Sequence, residues 1–169
     1  SIESLVEKGF DPQDMGERFL RWFDLGHWGA HGLVFDIGNA TRVALDRISL
    51  GTPAVEAGGR DQYDNGNGSL MRILPVPLAS LECDLDQFCD RIARASAITH
   101  AHERSKLACV LHGLFVRSVM QGGSPATAHA RAVEEFRTCY ASHPEFSHLS
   151  ALLSPGLGSQ HESAIQSSG

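Results

Sequence analysis

Apolar positions along this chain recur at helical spacing almost throughout, and each run is closed by a residue that ends helices. Ile2, Leu5 and Val6 form a short apolar stripe that stops at Gly9, glycine being the usual residue past a helix C-terminus. Asp11 and Pro12 predict the next helix start, because a proline in the first helical position gives up no hydrogen bond there. Phe19, Leu20, Trp22 and Phe23 give that helix a broad aromatic face, and a loop over residues 26–32 carries His27, Trp28 and His31. A further helix is predicted over 39–50, with Val43, Ile48 and Leu50 turned inward. Residues 51–66 predict a long irregular segment, which in a compact domain is uncommon unless it is functional or disordered. Helical pattern resumes near Ser69, and Pro75 and Pro77 must kink or end it. Asp84 caps a predicted helix over 85–98, and the longest apolar helix runs over 101–120 to Gly122-Gly123. Ser124-Pro125 then opens a helix that carries Phe136 and Cys139.

No stretch sustains period-two alternation, and no heptad persists. The expected fold is therefore all-α, an irregular multi-helix bundle, with 1–169 as a single domain fragment long enough to bury a core. Residues 153–169 are rich in Ser and Gly and read as a loop or disordered tail. The chain opens at Ser1 inside an apparent helix and closes on Ser-Ser-Gly, so truncation at both ends is expected.

Charge and cysteine usage narrow the function classes. A formal net charge of -6 argues against the phosphate backbone of a nucleic acid as the main partner. No apolar run has the length of a membrane span and no signal peptide is visible, which predicts a cytoplasmic protein with no membrane partner. The four cysteines are scattered without a Cys-x-x-Cys pair, and Cys89 and Cys109 fall on apolar helical positions as buried free thiols.

The segment with most chemical character is Tyr63-Asp64-Asn65-Gly66-Asn67-Gly68-Ser69-Leu70-Met71-Arg72. Short polar residues and glycines run into an apolar stretch, so a hydrogen-bonding loop feeds a helix start that can face phosphate or carboxylate oxygens. A plain turn capped by Asn67 or Ser69 is an equal reading on spacing alone. A P-loop is excluded because Leu70 follows Gly68-Ser69, and an EF-hand because Tyr63 and Arg72 stand where carboxylates are required. His100 and His102, one residue apart, can point toward a common pocket, and read as hydrogen-bond donors before metal ligands because the spacing names no further ligand; Thr99 reads as a cap for the helix that follows. Asp36 or Asn39 reads as the cap of the 39–50 helix. No Gly-x-Ser-x-Gly elbow or cysteine nucleophile motif occurs, and no catalytic residue is assigned.

Taken together, Asn-Gly-Asn-Gly-Ser-Leu-Met-Arg, the Pro-containing run after it and Ile98-Thr99-His100-Ala101-His102 resemble the ADP-ribosylglycohydrolases. The Phe35-Asp36-Ile37-Gly38 turn and the Gly51-Thr52-Pro53 entry to the long loop are also similar to that family, so the likeness covers most of the chain in order. The resemblance implies an all-α hydrolase that cleaves the glycosidic bond between ADP-ribose and an acceptor, usually a protein side chain, with a binuclear Mg2+ or Mn2+ centre. It implies that Asp64, Asn65, Gly66, Asn67, Gly68 and Ser69 form the ADP-ribose loop and that His100 donates on the pyrophosphate side. Met71 and Arg72 would anchor the loop from the core side, or Arg72 would pair with Asp36. The family's Thr-Asp-Asp and Asp-x-Asp-Thr metal motifs are absent here, so this chain alone is expected to lack metal ligands and activity. The alternatives are a non-catalytic ADP-ribose or nucleotide binder and a helical interaction domain.

Overall fold

The computed structural model describes residues 1–154, and among them the secondary structure is helical, with one isolated parallel bridge between Gly59 and His100. The helices are α1 (Ile2–Lys8), α2 (Pro12–Leu25), α3 (Asn39–Ser49), α4 (Ala54–Ala57), α5 (Gly68–Arg72), α6 (Pro75–Leu78), α7 (Leu85–Ala97), α8 (Glu103–Met120) and α9 (Pro125–Tyr140). Most of the expected tail lies outside the described residues.

Local chemistry explains most of the boundaries. The Asp11 carboxylate accepts from the N–H groups of Gln13 and Asp14 at 2.9 and 3.1 Å, and α2 ends at Gly26 with φ 64°. Asp84 accepts from Gln87 N–H at 2.8 Å to start α7, and Ser124 with Pro125 starts α9 in the same way. Pro75 and Pro77 split the apolar stretch after Arg72 into the short α5 and α6.

The core is built on α7, α8 and α9, where Phe88, Ile92, Val110, Leu114, Val133 and Phe136 are buried. Met15 of α2 and Ala44, Leu45 and Ile48 of α3 extend the same apolar cluster.

Several expectations are corrected. Val43 and Leu50 face solvent, and the inward face of α3 is Ala44, Leu45 and Ile48. Ile2 and Val6 are also exposed, leaving Leu5 as the apolar contact of α1 with the core. The 51–66 segment is not irregular throughout: it contains α4 and a 3-10 turn at Gln62–Asp64. Gly38, not Asp36 or Asn39, occupies the cap position of α3, with no side-chain cap. Thr99 does not cap α8; His102 does, its Nδ1 accepting from Arg104 N–H at 3.1 Å.

Candidate ligand-binding site

The C-terminal end of α7 forms the floor of the site. After Ala97 the chain turns through Ile98, Thr99 and His100, all buried, before α8 begins. The long loop docks onto this corner by its backbone, Gly58 N–H donating to Ala97 O at 3.1 Å and Ala101 N–H to Gly59 O at 2.9 Å. Gly58 is needed for that approach, since a Cβ there would lie 2.3 Å from Ala97 O. The docking brings the Asp64-to-Ser69 loop, distant in sequence, against His100.

The seven residues of the expected site then take different places. Gly66, Asn67, Gly68 and His100 line a cavity of about 1140 Å³. Asn67 holds the cap position of α5 without a side-chain cap bond, and its side chain is exposed toward the cavity. Asp64 and Asn65 turn to their own 3-10 turn: the Asp64 carboxylate accepts from Asp61 N–H at 3.1 Å, and Asn65 donates from Nδ2 to Gln62 O at 2.6 Å. Ser69 is fully buried and faces away, accepting from the Ser96 hydroxyl at 2.9 Å and lying 3.5 Å from the Cys109 sulfur. α5 has five residues, so its dipole adds little and the loop's shape carries the site.

Arg72 is the anchor of this floor. Its guanidinium donates to Ala95 O at 3.1 Å, Ser96 O at 3.5 Å and Thr99 Oγ1 at 2.5 Å, and it stacks over the Phe19 ring at 4.9 Å. The carbonyls at the α7 C-terminus are the negative end of the helix, which explains why the cation settles there without a carboxylate. Burial lowers its pKa to about 10, which leaves it charged at neutral pH. The expected Asp36 partner is not used. Asp36 sits instead on the cavity rim, in the left-handed region at φ 53°. Met71 is exposed on the same rim rather than anchoring from the core.

Burial, and next the neighbouring Arg72, push the His100 pKa down to about 4, with Asp64 opposing them. The ring is therefore neutral in the working range and offers the cavity an uncharged group. His102 does not share that cavity; it faces a separate cleft with Arg60, Glu103 and His143. The cavity is also lined by the apolar and aromatic side chains of Phe19, Trp22, Trp28 and Ile37. Sequence reasoning did not assign Trp22 or Thr99 to this site, and neither carries a local signal for it.

A largely apolar cavity with a glycine loop and a buried neutral histidine on its floor has the mixed character of a small-molecule pocket, apolar walls with a few convergent polar groups. The chain belongs to the ADP-ribosylglycohydrolase family, whose model matches residues 1–167. It is similar to the ADP-ribosylarginine hydrolase Tri1 of Pseudomonas putida (strain GB-1), 27% identical over 139 residues covering 80% of this chain and 36% of that protein. The ADP-ribosylarginine hydrolase Tri1 of Serratia proteamaculans (strain 568) is 29% identical over 123 residues, 72% of this chain and 33% of that protein. The ADP-ribosyl-[dinitrogen reductase] glycohydrolase of Rhodospirillum rubrum is 32% identical over 123 residues, 70% of this chain and 37% of that protein. The chain thus spans about a third of the length of these relatives. No solved structure matches it.

Among the described residues no three His, Cys, Asp or Glu side chains are grouped to hold a metal ion. The chain's own described residues do not fit the binuclear centre that the resemblance implies. No helix among the described residues is long and apolar enough to cross a membrane.

Proposed function

We propose that the protein to which this chain belongs hydrolyses the glycosidic bond joining ADP-ribose to an acceptor, and that this chain forms the wall that binds and orients the ADP-ribose. The observation that carries the reading is the convergence of Gly66, Asn67, Gly68 and His100 on one cavity, reached only by folding a loop onto a helix end thirty-odd residues further on. Family membership supplies the substrate class. Asn67 presents an unengaged amide to the ligand and His100 a neutral ring nitrogen, while Asp64 and Asn65 hold the turn that places them. The aromatic side chains in the lining suit a planar base.

Two relatives bear the name ADP-ribosylarginine hydrolase, which makes a protein carrying ADP-ribosylated arginine the first acceptor to test. All four cysteines are free thiols, which supports a reducing, cytoplasmic setting.

Calorimetric titration of the chain with ADP-ribose tests the reading. Binding is expected, and Asn67→Ala should weaken it by about tenfold, the loss of a good hydrogen bond to a polar ligand. A chain that melts cooperatively and yet takes up no ADP-ribose refutes the proposal.

A further inference from the structure

The polar contacts behind His100 define which of its nitrogens carries the proton. Thr99 Oγ1 lies 2.8 Å from His100 Nδ1 and accepts the Arg72 guanidinium at 2.5 Å. Arg72 can only donate, and a hydroxyl has a single hydrogen to give. With one lone pair of Oγ1 taken by Arg72, the Thr99 hydrogen has one acceptor among the described contacts, Nδ1. Placing the ring hydrogen on Nδ1 instead would leave the hydroxyl hydrogen of a fully buried threonine without an acceptor. On the other side of the ring, a Cβ built on Gly66 or Gly68 would lie 3.7 or 3.1 Å from Nε2, so these two glycines leave that nitrogen open to the cavity.

We propose that Arg72 and Thr99 are positioning residues that lock His100 as the neutral Nε2–H tautomer, so that it meets the ligand as a fixed, uncharged hydrogen-bond donor. The direction of donation runs outward in one line: guanidinium to hydroxyl, hydroxyl to Nδ1, and Nε2–H to an acceptor oxygen in the cavity. A donor of fixed direction discriminates for an oxygen acceptor such as a diphosphate or ribose and against a ligand donor at the same point. Arg72 and Asp64 are the charged groups that act on the ring, Arg72 from α5 and Asp64 from the 3-10 turn at Gln62–Asp64. Burial first, and then the charge of Arg72, oppose a second ring proton. The value of this lock for ADP-ribose rests on the proposed function; the tautomer itself does not.

The test is a long-range proton–nitrogen correlation spectrum of the chain labelled with 15N-histidine, with the His100 signals assigned by their loss in His100→Gln. The expected result at neutral pH is the Nε2–H pattern in the wild-type chain and in Thr99→Ser. Thr99→Val should convert His100 to a mixture of tautomers and weaken ADP-ribose by about tenfold, with Thr99→Ser restoring binding. An Nδ1–H pattern in the wild-type chain overturns the proposal, whether or not Thr99→Val folds. An unchanged Nε2–H pattern in folded Thr99→Val overturns the role given to Thr99. Absence of ADP-ribose binding alongside the Nε2–H pattern would sink the proposed ligand and leave the tautomer lock standing.

Discussion

At the residue scale the site depends on two glycines that sit at different distances from one histidine. A Cβ at Gly68 would meet His100 Cε1 at 2.7 Å and Nε2 at 3.1 Å. The ring cannot swing away freely, because its far side is buried and bonded to Thr99. Glycine-to-alanine in a helix gains roughly 0.5–1 kcal/mol of backbone entropy, while overpacking a tight contact costs about 1–3 kcal/mol. The second effect is larger, so Gly68→Ala should lower stability by about 1 kcal/mol and weaken ADP-ribose by at least about tenfold. At Gly66 the same Cβ would make an ordinary contact of 3.7 Å with Nε2, and Gly66→Ala should leave the denaturation midpoint nearly unchanged. Urea titration of the two variants side by side checks the contrast. Equal stability losses would mean that the ring is not held where the structure puts it.

The elements themselves were legible wherever a boundary is made by neighbours in sequence. Asp11-Pro12, Asp84 and Ser124-Pro125 each carry their cap within three residues, and the helices start there. Alanine hid the inward face of α3: Ala44 is wholly buried yet weighs little in a hydrophobic pattern, so the larger Val43 and Leu50 drew the stripe to the wrong side. Thr99 has the chemistry of a cap, but its hydroxyl is held by Arg72 across a separation of 27 residues, and the helix starts later. Arg72 shows the same limit, because its carbonyl partners at Ala95 and Ser96 exist only once α5 packs on the end of α7. Asp64 and Asn65 each also bond within the turn that presents Asn67, a local role that the motif does not announce. The element most exposed to a single change is accordingly the docked loop. At Gly58 an added Cβ would collide with backbone at Ala97 O, 2.3 Å away, and with the His100 and Ala101 nitrogens, both at 2.8 Å. Backbone at a helix end yields less readily than a side chain. Gly58→Ala should therefore cost about 2–3 kcal/mol and speed amide exchange at Gly59 through Gly68. Exchange unchanged in that segment would show that the loop is not held by this contact.

On the scale of the whole molecule, a neutral imidazole in a charged, enclosed floor makes folding sensitive to acid. The ordinary histidine pKa of 6.5 applies in the unfolded chain, whereas folded His100 resists protonation until about pH 4. Between those values the unfolded chain binds a proton that the folded chain refuses, so stability falls as pH falls through the window. The full separation corresponds to at most about 3.5 kcal/mol, since one pKa unit is 1.36 kcal/mol. His112 on α8, its pKa also lowered by burial, acts in the same direction. Glu3 and Asp14 behave differently: hydrogen bonds from Arg18 hold both carboxylates below their usual range, and their contribution disappears only as pH falls below about 4. The two regimes can be separated by variant. His100→Gln keeps a neutral donor on the cavity floor but has no proton to gain, so its unfolding free energy should vary less between pH 6.5 and 4 than that of the wild-type chain. Below that window the two curves should run parallel, because the carboxylates around Arg18 are untouched. Urea unfolding followed by circular dichroism at half-unit pH steps reads both slopes. Coincident slopes in the upper window would mean that His100 titrates normally, and that the floor is wetter or less tightly closed by the docked loop than the Gly58 and Gly59 contacts require.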